Sequence, residues 1–467
     1  MKVVKRLRWR RAGVAGFASA AGLAMATVAA GATTTPVTFT KDVAPILQEK
    51  CQECHQPGSI APMSLITYED ARPWARAIRE KVVQREMPPW HIDKSVGIQK
   101  FKNDFSLNDD QIATLVNWVD EGAPKGDPAD MPAPRKLDDP NAWRGVIDGL
   151  GQPDLVITSP TYTMPAVHQD VWWRPEQPIP ITEARWVRAV EIRPATVPGR
   201  KIMHHIIAYR VLNADEADEV NTGTGRGGAG LQIVDSLVNA RPQLMEWAIG
   251  KGYDEYRPDT GKRIEPGEKI SWEMHIHAAG EPITSGAQIA LWFYPKGQEP
   301  HHRSYLVGFQ ALGDRTPGSS GLDIRPNALS MSEGFTTLRK PAILENFQPH
   351  MHLRGKAMEL EAILPTGEHQ VVSFIRNFNF NWMTNYVYAD DAAPAFPAGT
   401  VIHVTAWYDN TTGNRNNPDP NQWVGYGNRT VDEMGHAWVN VTYLSDEEYA
   451  DWVKQHAQKP ARVTQQQ

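Results

Sequence analysis

From residue 151 onward the chain is a train of short apolar runs, each closed by a turn cluster rich in Gly, Pro or Asn. The runs read PDLVITSP, RWVRAVEIRP, KIMHHIIAYRVL, EKISWEMHIH, QIALWFYP, AMELEAILP, TVIHVTAWYDN and HAWVNVTYL. Many alternate apolar and polar residues and favour Val, Ile, Tyr and Trp, the pattern of a strand with one face in a core. The predicted architecture is two all-β sandwich (jelly-roll-like) subdomains, residues 151–325 and 326–458. No fixed-period repeat is present. A chain of 467 residues with 41% hydrophobic and 22% charged residues is globular in composition and too long for a single ordinary core.

The segment before residue 126 has a different grammar. Residues 37–125 carry helical periodicity, and residues 126–150, rich in Pro and Asp, read as a linker. The first 32 residues read as an export signal: a basic start (Lys2, Lys5, Arg6, Arg8, Arg10, Arg11), an uncharged Ala-rich stretch, and the small-residue site Ala30-Gly31-Ala32. Left uncleaved, the same stretch would be a membrane anchor, the one way this chain is expected to meet a membrane. Cleavage removes six positive charges and no negative ones, taking the net charge from −6 to −12, which disfavours nucleic acid as a partner. The expected location is periplasmic or otherwise exported.

Only two cysteines are present, three positions apart, in Cys51-Gln52-Glu53-Cys54-His55. Two thiols one helical turn apart can form thioethers to the vinyl groups on one porphyrin edge, and the adjoining His then reaches the iron. A redox dithiol would need a βαβ setting, and a zinc site a second ligand pair; neither is visible. The flanks are helical. Thr40 is placed to cap a helix through Asp42–Lys50, with Pro45 early in it. Ser106–Asp109 resembles a capping box ahead of an apolar stripe, Ile112, Leu115, Val116 and Val119, that ends at Gly122. The block resembles the small class I c-type cytochromes, which implies an all-α cytochrome c domain with one covalent haem on Cys51, Cys54 and His55. For the sixth iron ligand, Met87 in the Pro-stiffened loop Arg85–Trp90 is preferred, with Met63 and His91 as competitors.

Many of the fifteen histidines cluster after residue 200: His204-His205, His275 and His277, His350 and His352, followed by Asp432-Glu433-Met434. On a strand, residues two apart share a face, so His350 and His352 can converge on one ion, whereas His204 and His205 can do so only where the strand ends, twists or bulges. Taken singly, each cluster also reads as histidines on a half-exposed sheet. The order HH, apolar-His, HxH followed by Gly-Lys, then Asp-Glu-Met is similar to that of the copper type II, ascorbate-dependent monooxygenases, the family of peptidylglycine and dopamine monooxygenases. RWVRAVEIRP, DEMGHAWVNVTY and the Asn-Pro-Asp-Pro before DEM add to the likeness, which spans roughly residues 150–445.

The resemblance implies two copper ions, one on His204, His205 and His275, the other on His350, His352 and Met434. His277 shares a face with His275 and is its alternative. His301-His302 is expected in a solvated loop, His403 in a core or supporting position, and His436 at a substrate pocket. Imidazole suits copper and a thioether favours Cu(I). The expected activity is a copper-dependent monooxygenase hydroxylating an aliphatic C–H bond of a small-molecule substrate with O2. The catalytic site would be His350, His352 and Met434, with electrons supplied through the haem from a periplasmic donor. A non-catalytic electron-transfer or copper-binding protein is the alternative. Two departures stand out: the sandwiches contain no Cys, and Gln348 stands where the peptide-processing members carry a basic residue, so a peptide ending in glycine is not the expected substrate. Gly223–Gly228 matches a nucleotide-loop pattern but follows no strand and is expected to be a flexible connector.

Overall fold

The computed structural model describes residues 36–139, 141–212, 242–313 and 321–456. The export segment and the Gly223–Gly228 loop lie outside them. The described chain is mostly β-structure arranged in several sheets, with a few short helices near its start and one, Asp446–His456, at its end. No helix among the described residues is long and apolar enough to cross a membrane.

Two β-cores share one sheet. An 11-stranded sheet runs through the whole β region. Its two halves join where Thr260–Ile264 pairs in parallel with His302–Gln310. A five-stranded sheet covers one half, closing a core of Ile192, Ile206, Trp272, Met274 and Ile289. A four-stranded sheet covers the other, closing a core of Phe309, Phe347, Met358, Val404 and Val439. Strand His302–Gln310 pairs with Gly435–Tyr443, and Val307, Phe309, Leu322 and Ile324 pack in the second core. Strand His302–Gln310, on the first sandwich's side of residue 326, therefore adds side chains to the second core. Spacing could not show this, because a strand that continues a shared sheet looks the same in either half.

The early helices gather around Phe39, Leu47, Leu65, Ile78, Leu115 and Trp118. Their starts differ from the sequence expectation. A π-turn, Phe39–Val43, precedes helix Ala44–Lys50, and the Thr38 N–H donates to the Asp42 carboxylate (2.7 Å). Thr40 is turned into the interior and caps nothing. Helix Asp109–Asp120 is opened by a capping box of Asn108 and Gln111, two residues beyond the expected one. Ser106 is engaged instead with Lys94 (2.6 Å).

The block does not close on itself as a small all-α domain. Residues 90–105 leave the helices and join the second β-core: Trp90 sits edge-on to Phe101, Phe105 and Tyr386 at 4.7–5.4 Å, and Ile92 and Phe101 bridge to Ile375 and Tyr388. Buried aromatic side chains of this size each contribute about 1.5–3 kcal/mol. The Pro- and Asp-rich stretch is likewise no free linker. Arg135 donates to the Gln48 carbonyl (2.9 Å), Arg144 pairs with Glu53, and Trp143 packs on Ala189, Ala290 and Trp292 under the Arg193 guanidinium.

Candidate metal centres

Strand Met203–Val211 pairs antiparallel with Lys269–Ile276, His275 opposite His205, but the next pair is Ile276 with Met203. His204 is the extra residue of a bulge. A bulge brings adjacent side chains to one side, which a regular strand forbids. His204 Nδ1 and His205 Nδ1 lie 3.2 Å apart, and one ring nitrogen from each of His204, His205 and His275 lies within 4.8 Å of the others. Of the two candidates on that strand, His275 completes the triangle. Its Nε2 is hydrogen-bonded to Asp170 (2.8 Å) and its ring stacks on Trp172 at 4.4 Å. That leaves Nδ1, which is buried without a hydrogen-bond partner.

The second set is built from strands Asn346–Met351 and Gly435–Tyr443. His350 pairs with His436 and Met351 with Gly435, where the ladder ends, leaving His352 and Met434 one residue beyond it on either strand. Opposed residues of an antiparallel pair share a face. The His350 ring lies 5.5 Å from that of His352 and 6.0 Å from that of His436. His352 Nδ1 lies 3.2 Å from the Asp432 carbonyl, an acceptor only, so Nδ1 carries the proton there. His436, expected at a substrate pocket, stands beside His350.

The two sets adjoin. The faces of Met203–Val211 and Asn346–Met351 that turn away from their own cores meet each other, with the His205 and His350 rings 6.5 Å apart. Phe380 stacks on His204 at 4.6 Å and meets His352 edge-on at 6.2 Å. Gln348 donates to Glu246 (3.0 Å), whose other oxygen takes Lys251 (2.6 Å), so a buried polar tie flanks the imidazoles. Burial disfavours the imidazolium form. It lowers His204 to about 3 and His352 to about 4, and holds His205 and His350 well below their usual range, each reinforced by neighbouring histidines. At neutral pH these rings are uncharged and each has a nitrogen lone pair to offer.

At the start of the chain, His55 and Cys54 donate backbone N–H groups to Cys51 O (2.9 and 3.1 Å), so the helical turn carries on through the motif and sets both thiols one turn apart. Neither forms a disulfide. Burial, then Cys54, pushes the Cys51 thiol up to about 12, and burial raises Cys54 as well. His55 Nδ1 lies 3.2 Å from the Met63 carbonyl, which leaves Nε2 for a ligand and places Met63 beside the imidazole itself. Met87 is 41% exposed at the edge of the loop that Trp90 anchors. The His91 N–H donates to the Tyr386 hydroxyl (3.0 Å).

His301, His302 and His403 make their contacts with carboxylates elsewhere. His301 is exposed on Asp259, whereas His302 opens a strand and faces Glu448 at 3.4 Å, so only the first of the pair is in a solvated loop. His403 lies between Glu361 and Glu333, stacked on Phe335. Asp170, Trp172 and Phe380 carry no sequence signal, since each reaches its imidazole only through tertiary packing.

No protein-family model matches the chain, and no curated protein matches it. Among solved structures, the infectious bursal disease virus VP2 subviral particle aligns over 64% of this chain and 77% of that chain, at 10% identity and a TM-score of 0.16. Procruciferin, an 11S globulin from Brassica napus, aligns over 62% and 85%, at 8% identity and a TM-score of 0.11. Likenesses this faint carry no argument about fold or activity.

Proposed function

We propose that this chain is an exported haem- and copper-dependent monooxygenase that hydroxylates an aliphatic C–H bond of a small molecule with O2. In this reading it combines a c-type cytochrome module with two copper-binding sandwiches of the ascorbate-dependent monooxygenase type, and a periplasmic donor feeds electrons through the haem. The observation that carries it is the gathering of His204, His205 and His275 beside His350 and His352, with Met434 one residue beyond the end of the strand that pairs with the His350 segment.

The donors fit the ions. Neutral imidazoles suit copper, and the buried, partnerless Nδ1 of His275 is what a ligand nitrogen looks like without its metal. A thioether at position 434 makes the second set softer than the first and favours Cu(I). The Cys51–His55 turn fits a haem held by two thioethers, with His55 oriented through Met63. When bound, the two coppers and the haem iron supply one-electron steps and oxygen activation.

The chain's own residues prepare that chemistry. Asp170 and the Asp432 carbonyl each engage the far nitrogen of a ligand histidine, fixing its tautomer and ring plane. Three protein ligands on a copper would leave room for oxygen to bind. Phe380 and Trp172 stack their rings on His204 and His275 and limit the freedom of both imidazoles.

The test is elemental analysis and optical spectroscopy of the exported protein before and after dithionite, with oxygen uptake on reduction. One covalent haem, two coppers, and uptake lost in Met434→Ala with the haem spectrum unchanged are expected. A colourless protein overturns the haem assignment. One copper without oxygen uptake supports the carrier alternative.

A further inference from the structure

Glu433 is fully buried, between the two ligand-bearing segments of the second set. Its Oε1 accepts the backbone N–H of His352 and that of Met434 (3.0 Å), and its Oε2 accepts the N–H of Arg354 (2.9 Å). A buried carboxylate is tolerated only when so satisfied. Arg354, itself 1% exposed, ties the same turn outward through Asn410 (2.9 Å) and the Val431 carbonyl (2.9 Å).

The strand pairing explains why this matters. The ladder ends at Met351 opposite Gly435, one residue before His352 and Met434. Past that point the sheet no longer sets the distance between the two peptides. The Glu433 carboxylate takes over: one oxygen holds both N–H groups.

We propose that Glu433 is a positioning residue whose carboxylate sets the spacing of the His352 imidazole and the Met434 thioether, so that the His350, His352 and Met434 set closes on one metal ion. The proposal rests on the copper reading above.

The experiment is Cu(I) titration of the full haem-bearing chain against a chromophoric chelator, with X-ray absorption at the copper edge, for wild type, Glu433→Gln and Glu433→Asp. The amide of Gln keeps an oxygen on one side only, so its NH2 opposes either the Arg354 N–H or the His352 and Met434 pair and in both cases pushes the His352–Arg354 turn away, and Asp is one methylene too short to span both strands. In both variants the copper on His204, His205 and His275 should bind with wild-type affinity. The other should bind about 10- to 100-fold more weakly, the usual effect of losing a residue that orients a ligand, and its sulfur scattering should disappear. A purely structural role would lower the melting temperature and leave the affinity ratio and the sulfur signal intact, which overturns the proposal. So does full rescue by Asp, since charge alone would then suffice. If the variants do not fold, amide hydrogen exchange of the wild type decides: His352, Arg354 and Met434 should exchange slowly and together, and fast or independent exchange overturns it. A wild type that binds no copper at this set sinks the copper reading, while the exchange result still judges the carboxylate.

Discussion

Removing the Asp170 carboxylate isolates what a single supporting residue contributes to the His204, His205 and His275 cluster, in which the first copper is proposed. Asp170 accepts from His275 Nε2 at 2.8 Å, which forces the lone pair onto the buried Nδ1. A hydrogen bond to a charged group contributes about 1.5–3 kcal/mol. Asp170 is 38% exposed, so solvent screens part of this and the low end applies. About 1.4 kcal/mol corresponds to a tenfold loss of affinity. Trp172 still stacks on the ring in Asp170→Ala, so the imidazole keeps its plane and loses only its tautomer. Copper titration against a competing chelator should therefore show the first equivalent weakened about tenfold, the second unchanged, and the melting temperature nearly unmoved. Undiminished affinity at the first set, or an equal loss at both, would refute the reasoning, because either means that the carboxylate does not act through His275.

Two further outcomes follow from burial. Trp90→Ala empties a pocket between Phe101, Phe105 and Tyr386 and should cost about 3–5 kcal/mol in the stability of the second β-core, read from denaturant unfolding; a loss under about 1 kcal/mol would mean that residues 90–105 are not part of that core. In the metal-free protein, His204 and His352 stay neutral down to about pH 3 and 4 while the unfolded chain takes up protons below about 6.5. Their contribution is then complete above pH 6.5 and is lost as the pH falls towards 4, by roughly 3 kcal/mol for His352 alone. A denaturation midpoint that stays flat over this range would contradict the burial of these rings.

Much of the β-architecture was legible because period-2 runs bounded by Gly and Pro have few other uses. His350 and His352 could be paired from spacing alone, since residues two apart share a strand face. His204 and His205 could not: whether adjacent histidines converge depends on a bulge, which is set by the opposite strand around His275 and Ile276. The core that strand His302–Gln310 serves was hidden for a related reason. Strand His302–Gln310 has the same alternation whichever core it serves, and its partners Gly435–Tyr443 lie over a hundred residues away.

By itself, then, the order of residues determined the Cys51–His55 turn, the β-rich character of the chain after residue 151, and which side chains are chemically able to hold a metal. These are local properties, carried by spacing within a few residues. Only the tertiary structure decided that residues 90–105 belong to the second core, that His275 rather than His277 joins His204 and His205, and that the two histidine sets face one another with Asp170, Phe380 and Glu433 around them. Those facts depend on which distant strands pair and in what register, and no short window of sequence carries that information.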